Sequence, residues 1–192
     1  MKRHSFLKLA LVTGWVTSLP AKLFARQDGR AKTGFKVTAG KDRFDRPLSP
    51  FKGDAFFRKV SGADNDGQLF IFESTRNSEG GPLLHTHFDQ DEFWYVLEGS
   101  YLIKVGDVLY EANKGDFVYG PKKIPHTFSK IGDGPGKLMV GFHPAGKIEE
   151  YFLKLNDGST TGITEEQREI MRREHGFETA GPAIKVQKKY TR

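Results

Sequence analysis

An antiparallel all-β sandwich or barrel is the fold this sequence predicts, and three observations predict it. Short apolar runs of β-forming residues recur about every eight to ten residues between positions 55 and 142, each closed by Gly, Pro, Asn or Asp. Aromatic residues make up 12% of the chain, sixteen of them Phe, beside 22 Gly and 9 Pro. That mixture favours strands and tight turns over a helical bundle. The run 92–97 is apolar on both faces, with Glu92, Trp94 and Val96 on one and Phe93, Tyr95 and Leu97 on the other, which places it inside a sandwich or closed barrel. With 192 residues, one domain can bury a core without covalent staples.

In chain order, residues 1–25 carry the pattern of an export signal peptide. Lys2, Arg3 and Lys8 precede an apolar run from Leu9 to Leu19 that is too short for a stable membrane span, Pro20 breaks it, and Leu23-Phe24-Ala25 offers a cleavage site. The other reading of this stretch is an N-terminal helix of the folded domain. Residues 3–8 also resemble the twin-arginine export motif, with His4 where the second arginine belongs. The expected location is therefore periplasmic or secreted, with no integral membrane segment after removal of the signal.

Residues 26–34 are polar and read as a flexible linker. Strands are expected at 55–60 and 68–73, joined by a tight turn at Asp64-Asn65-Asp66-Gly67. That cluster lacks the ligand spacing and distal Glu of a calcium loop. Further strands are expected at 92–97, 101–105, 108–112 and 117–119, and the last strand of the barrel at 138–142. Then the period changes. Ile148, Tyr151, Phe152 and Leu155 share one side of a helix. Thr164 and Gln167 form a capping-box pattern opening a second helix that should stop at Gly176, and Gly181-Pro182 should start an irregular tail.

Charge and cysteine content exclude several functions. The net charge is +6, but residues 1–25 hold four basic residues and no acid, so residues 26–192 carry only +2 and a nucleic-acid partner is not indicated. The chain has no Cys, which removes disulfides, thiolate ligands and a lipidated N-terminal cysteine.

One stretch carries chemistry. His85 and His87 are two apart, so on a strand both imidazoles leave the same face. Glu92 follows five residues later, an odd interval, so a single straight strand would turn it away. Asp89-Gln90-Asp91 offers a bend that returns it. Two imidazoles and a carboxylate make a plausible site for a divalent transition metal, and a fourth ligand should stand elsewhere. His126 is the candidate: Pro125 cannot donate to a ladder, so His126 should open a strand. His143 reads as a strand-end residue, and His175 as a helix C-terminal residue explained by the helix dipole.

These residues resemble the cupin superfamily. Its first motif is matched by His85-Thr86-His87, four residues, Glu92, six residues and Gly99, with Gly80 one position off the leading glycine. Gly115, Pro121 and His126 keep the frame of its second motif, in which Lys123 replaces a glycine and Lys130 an asparagine. More narrowly, the chain is similar to the quercetin-dioxygenase-like single-domain cupins, through Pro144-Ala145-Gly146-Lys147-Ile148-Glu149-Glu150-Tyr151-Phe152 and through residues 175–182. The resemblance implies a jelly-roll barrel (a double-stranded β-helix) at 35–147 with the metal inside one end, and C-terminal helices and tail at 148–192 packed on it.

The expected cofactor is one divalent ion, Fe, Mn, Ni or Co, held by His85, His87, Glu92 and His126. Zinc also suits such a set but supplies no redox chemistry. The resemblance adds a catalytic role for Glu92 in taking a substrate proton. Trp94, on the Glu92 face, and Phe128, on the His126 face, are expected to line an aromatic substrate pocket. The expected function is a metal-dependent dioxygenase for a phenolic or enol-bearing small molecule. The alternatives are a cupin that only binds a small ligand and a non-redox isomerase or lyase. Cupins often form homodimers, an expectation to which no residue of this chain speaks.

Overall fold

The computed structural model describes residues 30–186. The expected signal peptide lies outside the described residues. The first strands are β1 (Asp54–Val60), β2 (Phe70–Arg76), β3 (Leu84–His87), β4 (Asp91–Glu98) and β5 (Ser100–Val105). They are followed by β6 (Val108–Asn113), β7 (Phe117–Gly120), β8 (His126–Ile131) and β9 (Gly136–His143). Helices α1 (Ile148–Asn156) and α2 (Glu165–Glu174) precede a last strand, β10 (Phe177–Gly181).

The strands form two five-stranded sheets, ordered β1-β2-β9-β4-β7 and β10-β3-β8-β5-β6, and every pairing is antiparallel. Alternation decides what lies between them. Phe70 and Phe72 of β2, Trp94 and Val96 of β4, and Leu138, Val140 and Phe142 of β9 face Tyr101 and Ile103 of β5 in one core. Aromatic rings stack through it: Phe56 and Phe72 lie 4.5 Å apart, and Phe72 and Phe142 6.3 Å. Helix α1 closes this layer with Ile148 and Tyr151, the buried members of its predicted apolar side.

The capping box of α2 forms as its spacing predicts. Gln167 N–H donates to Thr164 Oγ1 at 3.2 Å, and Thr164 N–H donates to Gln167 Oε1 at 2.8 Å. No helix among the described residues is long and apolar enough to cross a membrane.

Three features differ from the sequence expectation. The turn between β1 and β2 is a capped 3-10 helix, Gly62–Asn65, because Asp64 Oδ2 accepts from the Ser61 N–H at 3.0 Å and Ser61 Oγ accepts from the Ala63 N–H at 3.3 Å. Strand β4 is buried on one face only: Tyr95 is 39% exposed, and its neighbours on β7, Phe117 and Tyr119, are exposed too. Their aromatic side chains partner one another across the outer face of the sheet, with Phe93 and Phe117 stacked at 5.6 Å. Finally, β9 does not end the sheets. Beyond α2 the chain returns as β10 and pairs with β3, setting Phe177 opposite His87 and Thr179 opposite His85.

Candidate metal centre and its cavity

The odd spacing between His87 and Glu92 is resolved by a change of sheet. Strand β3 belongs to one sheet and β4 to the other, and residues 88–90 carry the chain across. Glu92 therefore points back at the imidazoles from the facing layer. His126 is the first residue of β8 and lies directly opposite His85 in the β3–β8 pair. Pro125 explains the start of that strand, since it has no N–H to give to the ladder. The four side chains meet between the sheets, with one ligand atom of each within 4.8 Å of all the others.

Glu92 Oε2 lies 3.1 Å from His126 Nε2, 3.3 Å from His87 Nε2 and 3.6 Å from His85 Nε2. Each imidazole uses its other nitrogen elsewhere. His85 Nδ1 donates to Leu83 O at 2.8 Å, His126 Nδ1 to Ile124 O at 2.8 Å, and His87 Nδ1 to Gln90 Oε1 at 3.1 Å. With Nδ1 donating outward, all three Nε2 atoms face the carboxylate. Burial pushes the His87 imidazole below its ordinary value, against the attraction of Glu92. For Glu92, burial favours the neutral acid, but contacts with His126, His85 and His87 outweigh it and hold the carboxyl well below the usual range. Four electron-pair donors thus converge in a space shielded from water, an arrangement that repels itself unless protons or a metal cation stand among them. The donor set of three nitrogens and one oxygen is compatible with a divalent metal.

A cavity of about 390 Å³ runs from this cluster between the sheets, lined by His85, His87 and Glu92 and by Phe56, Phe72, Phe128, Phe142, Phe152 and Phe177. Of the two residues expected in its wall, Phe128 is there. Trp94 is not: it has the predicted parity but lies one step further along β4, is 0% exposed, and packs behind His126 with ring centres 5.4 Å apart. Its ring rests against Gly120, where a Cβ would come within 2.8 Å of it.

Several residues of the site escape sequence reasoning. Gln90 was visible only as part of a bend, since nothing in its neighbourhood marks it as the partner of His87. Phe177 and Thr179 reach the cavity through β10, whose pairing with β3 has no local signal. Ser74 and Arg76 continue the alternation Phe70, Phe72, and extending that period past residue 73 would have found them. His143 is exposed at the end of β9 and His175 is buried, its Nδ1 2.6 Å from Met171 O, so neither joins the cluster.

With the two sheets and the His-Glu cluster placed, the match of residues 67–142 to the family described as the cupin domain takes on structural meaning. Those residues form a cupin domain. The match spans β2 to β9 and includes all four clustered residues. An uncharacterized protein of Methanocaldococcus jannaschii is 39% identical over 62 residues, which are 32% of this chain and 50% of that one. The chain thus spans about half the length of the curated relative it matches. Among solved structures, an RmlC-like cupin from Shewanella frigidimarina is similar at a TM-score of 0.49 and 17% identity, covering 62% of this chain and 98% of that one. KdgF from a Halomonas species also gives a TM-score of 0.49, at 12% identity over 58% of this chain and 94% of that one. The two sheets and their short helices agree with the cupin jelly roll.

Proposed function

We propose that this cupin is an exported, metal-dependent dioxygenase of the quercetin-dioxygenase-like type that acts on a phenolic or enol-bearing small molecule. One observation carries the reading: three imidazole Nε2 atoms and a buried carboxylate converge at the head of an aromatic cavity. When bound, a divalent transition-metal ion supplies Lewis acidity and redox chemistry with O₂.

The chain's own residues do the rest. The Nδ1 hydrogen bonds of His85, His87 and His126 fix ring orientation and keep Nε2 free to ligate. Glu92 stays ionised, so it serves both as ligand and as acceptor of an acidic hydroxyl proton from a substrate seated beside it. The phenyl groups of the cavity favour a flat aromatic body and exclude water from the reacting end. Export is supported by the basic start, apolar run and breaker within residues 1–25.

Metal analysis of the purified protein, combined with O₂ consumption across a panel of phenols after reconstitution with Fe, Mn, Ni or Co, tests the proposal. Uptake with at least one metal is expected. A site that holds these metals and consumes no O₂ with any phenol would leave a ligand-binding or non-redox cupin instead.

A further inference from the structure

Besides the four clustered ligands, the cavity holds a second polar group, on β1 and β2. In the register of these strands Asp54 lies opposite Arg76, and Phe56 opposite Ser74. The aromatic lining of Phe56 and Phe72 therefore gives way to Asp54, Ser74 and Arg76, all three on the cavity wall. Asp54 and Ser74 are buried, 7% and 3% exposed. Arg76 forms an ion pair with Asp54, and its guanidinium carbon sits 5.7 Å from the centre of the Phe128 ring.

Arg76 Nε is buried and has no hydrogen-bond partner among the described residues. A second arginine on the wall, the buried Arg172, is already held by Glu165 at 2.6 Å and Glu169 at 2.9 Å. A desolvated ion pair with an orphaned donor contributes little to stability and is costly to leave unsatisfied. It also lies away from the ligand cluster. On β9, Phe142 is opposite Glu92 while Leu138 is opposite Ser74, four residues along, or roughly 13 Å in the strand direction.

We propose that Asp54, Ser74 and Arg76 form a subsite for a hydroxyl group on the end of an elongated aromatic ligand remote from the His-Glu cluster. A hydroxyl donates to the Asp54 carboxylate and accepts from Ser74 or Arg76 in one position. The Asp54–Arg76 pair has no net charge, so a hydroxyl meets both a donor and an acceptor there, while a carboxylate meets the repulsion of Asp54 against the pull of Lys52, which is exposed at the same wall. This subsite rests on the reading of the cavity as the seat of a chelating aromatic molecule.

Isothermal titration of the zinc-loaded protein with 3-hydroxyflavone and its 4′-hydroxy and 4′-carboxy derivatives tests it, because zinc supplies no redox turnover. The 4′-hydroxy compound is expected to bind about tenfold more tightly than the parent, and the 4′-carboxy compound more weakly than the 4′-hydroxy compound. In Ser74→Ala and Asp54→Asn the readout is the ratio of the two affinities, and the hydroxyl preference is expected to shrink to less than about threefold whatever the parent flavone's own affinity becomes. Ser74→Ala removes a single oxygen and so keeps the test independent of the fold. Binding without a hydroxyl preference, or a preference unchanged in both variants, would overturn the subsite alone. No binding by any of the three compounds would overturn the aromatic-chelate reading together with the subsite.

Discussion

Gln90 holds His87 with its Nε2 turned to Glu92. Its Nε2 donates to Ala145 O at 2.5 Å and Pro144 O at 3.3 Å, which leaves Oε1 facing His87 Nδ1 at 3.1 Å. Carbonyls that follow β9 thus fix the amide, and the amide fixes the imidazole. Replacing Gln90 with Leu removes the acceptor while leaving the four ligands in place. Metal affinity is expected to fall ~10- to 100-fold, measured by competition with a chelator. An affinity within twofold of the parent would show that Gln90 has no part in holding the ring.

His126 ties the two sheets' halves of the cluster together, since it pairs with His85 in one sheet and faces Glu92 in the other. At 100 times Kd, free metal should stabilise the parent protein by about 3 kcal/mol, or roughly 5–10 °C in Tm for a domain of this size. His126→Ala is expected to lose the bound metal and this shift together. Calorimetry with and without added metal checks it, and an undiminished shift would place the ion elsewhere.

Chelator-treated protein should lose stability as the pH falls from 7 to 5. Burial lowers the His87 value from an ordinary 6.5, so below about pH 6.5 the unfolded chain takes up a proton that the folded chain does not. The unfolded state then binds more protons, and stability falls with falling pH through that window, by at most ~1.4 kcal/mol per pH unit for one group. Glu92 adds to the trend further down: its contribution is present above about 4.5 and is lost as pH drops through its lower folded value. Urea unfolding at pH 5, 6 and 7 reads this directly, and rising stability toward pH 5 would contradict it.

Asp42 anchors the loop before β1. Its carboxylate accepts from Arg58 Nη2 at 2.9 Å and Arg58 Nε at 3.0 Å, and from the backbone N–H groups of Arg58, Phe44 and Arg46. Both side chains are buried. Asp42→Ala leaves the Arg58 charge with only the longer contact to Glu149, Nη1 to Oε1 at 3.7 Å, and should cost about 3 kcal/mol in urea unfolding. A loss of less than 1 kcal/mol (order of magnitude for an exposed pair) would show that solvent already screens it.

Lys123 replaces the glycine of the second cupin motif, and the backbone explains what that costs. Its φ is 65°, in the left-handed region, where its N–H donates to His87 O at 2.8 Å. Lys123→Gly relieves a strained conformation and is expected to add about 0.5–1 kcal/mol of stability, measured by the urea midpoint at constant m-value. Lys123 is not on the cavity wall, so ligand binding should be unaffected.

Much of the barrel and the cluster was legible because strand parity and turn residues are local signals. His85 and His87 share a face by their spacing, Pro125 starts β8 at His126, and Thr164 with Gln167 opens α2. Trp94 shows the limit of parity. The alternation puts it on the inner face, but it cannot say which strands the cavity follows: from Glu92 the cavity runs over β9, β2 and β1, and Trp94 stays to one side of it on β4. Gly81 shows another limit. A Cβ there would overlap the Phe128 carbonyl, a constraint set by a chain segment more than forty residues away.

The face shared by His85 and His87, the strand rhythm and the helix caps are readable from the chain alone, since each depends on neighbours within a few positions. Only the tertiary structure decided how the odd His87–Glu92 interval closes, because that needs the chain to pass from one sheet to the other. The same holds for Gln90 as the partner of His87, for β10 beside β3, and for the Asp54, Ser74 and Arg76 group across from the aromatic wall. These contacts join residues distant in the chain, and register between strands, which no local period encodes, is what brings them together.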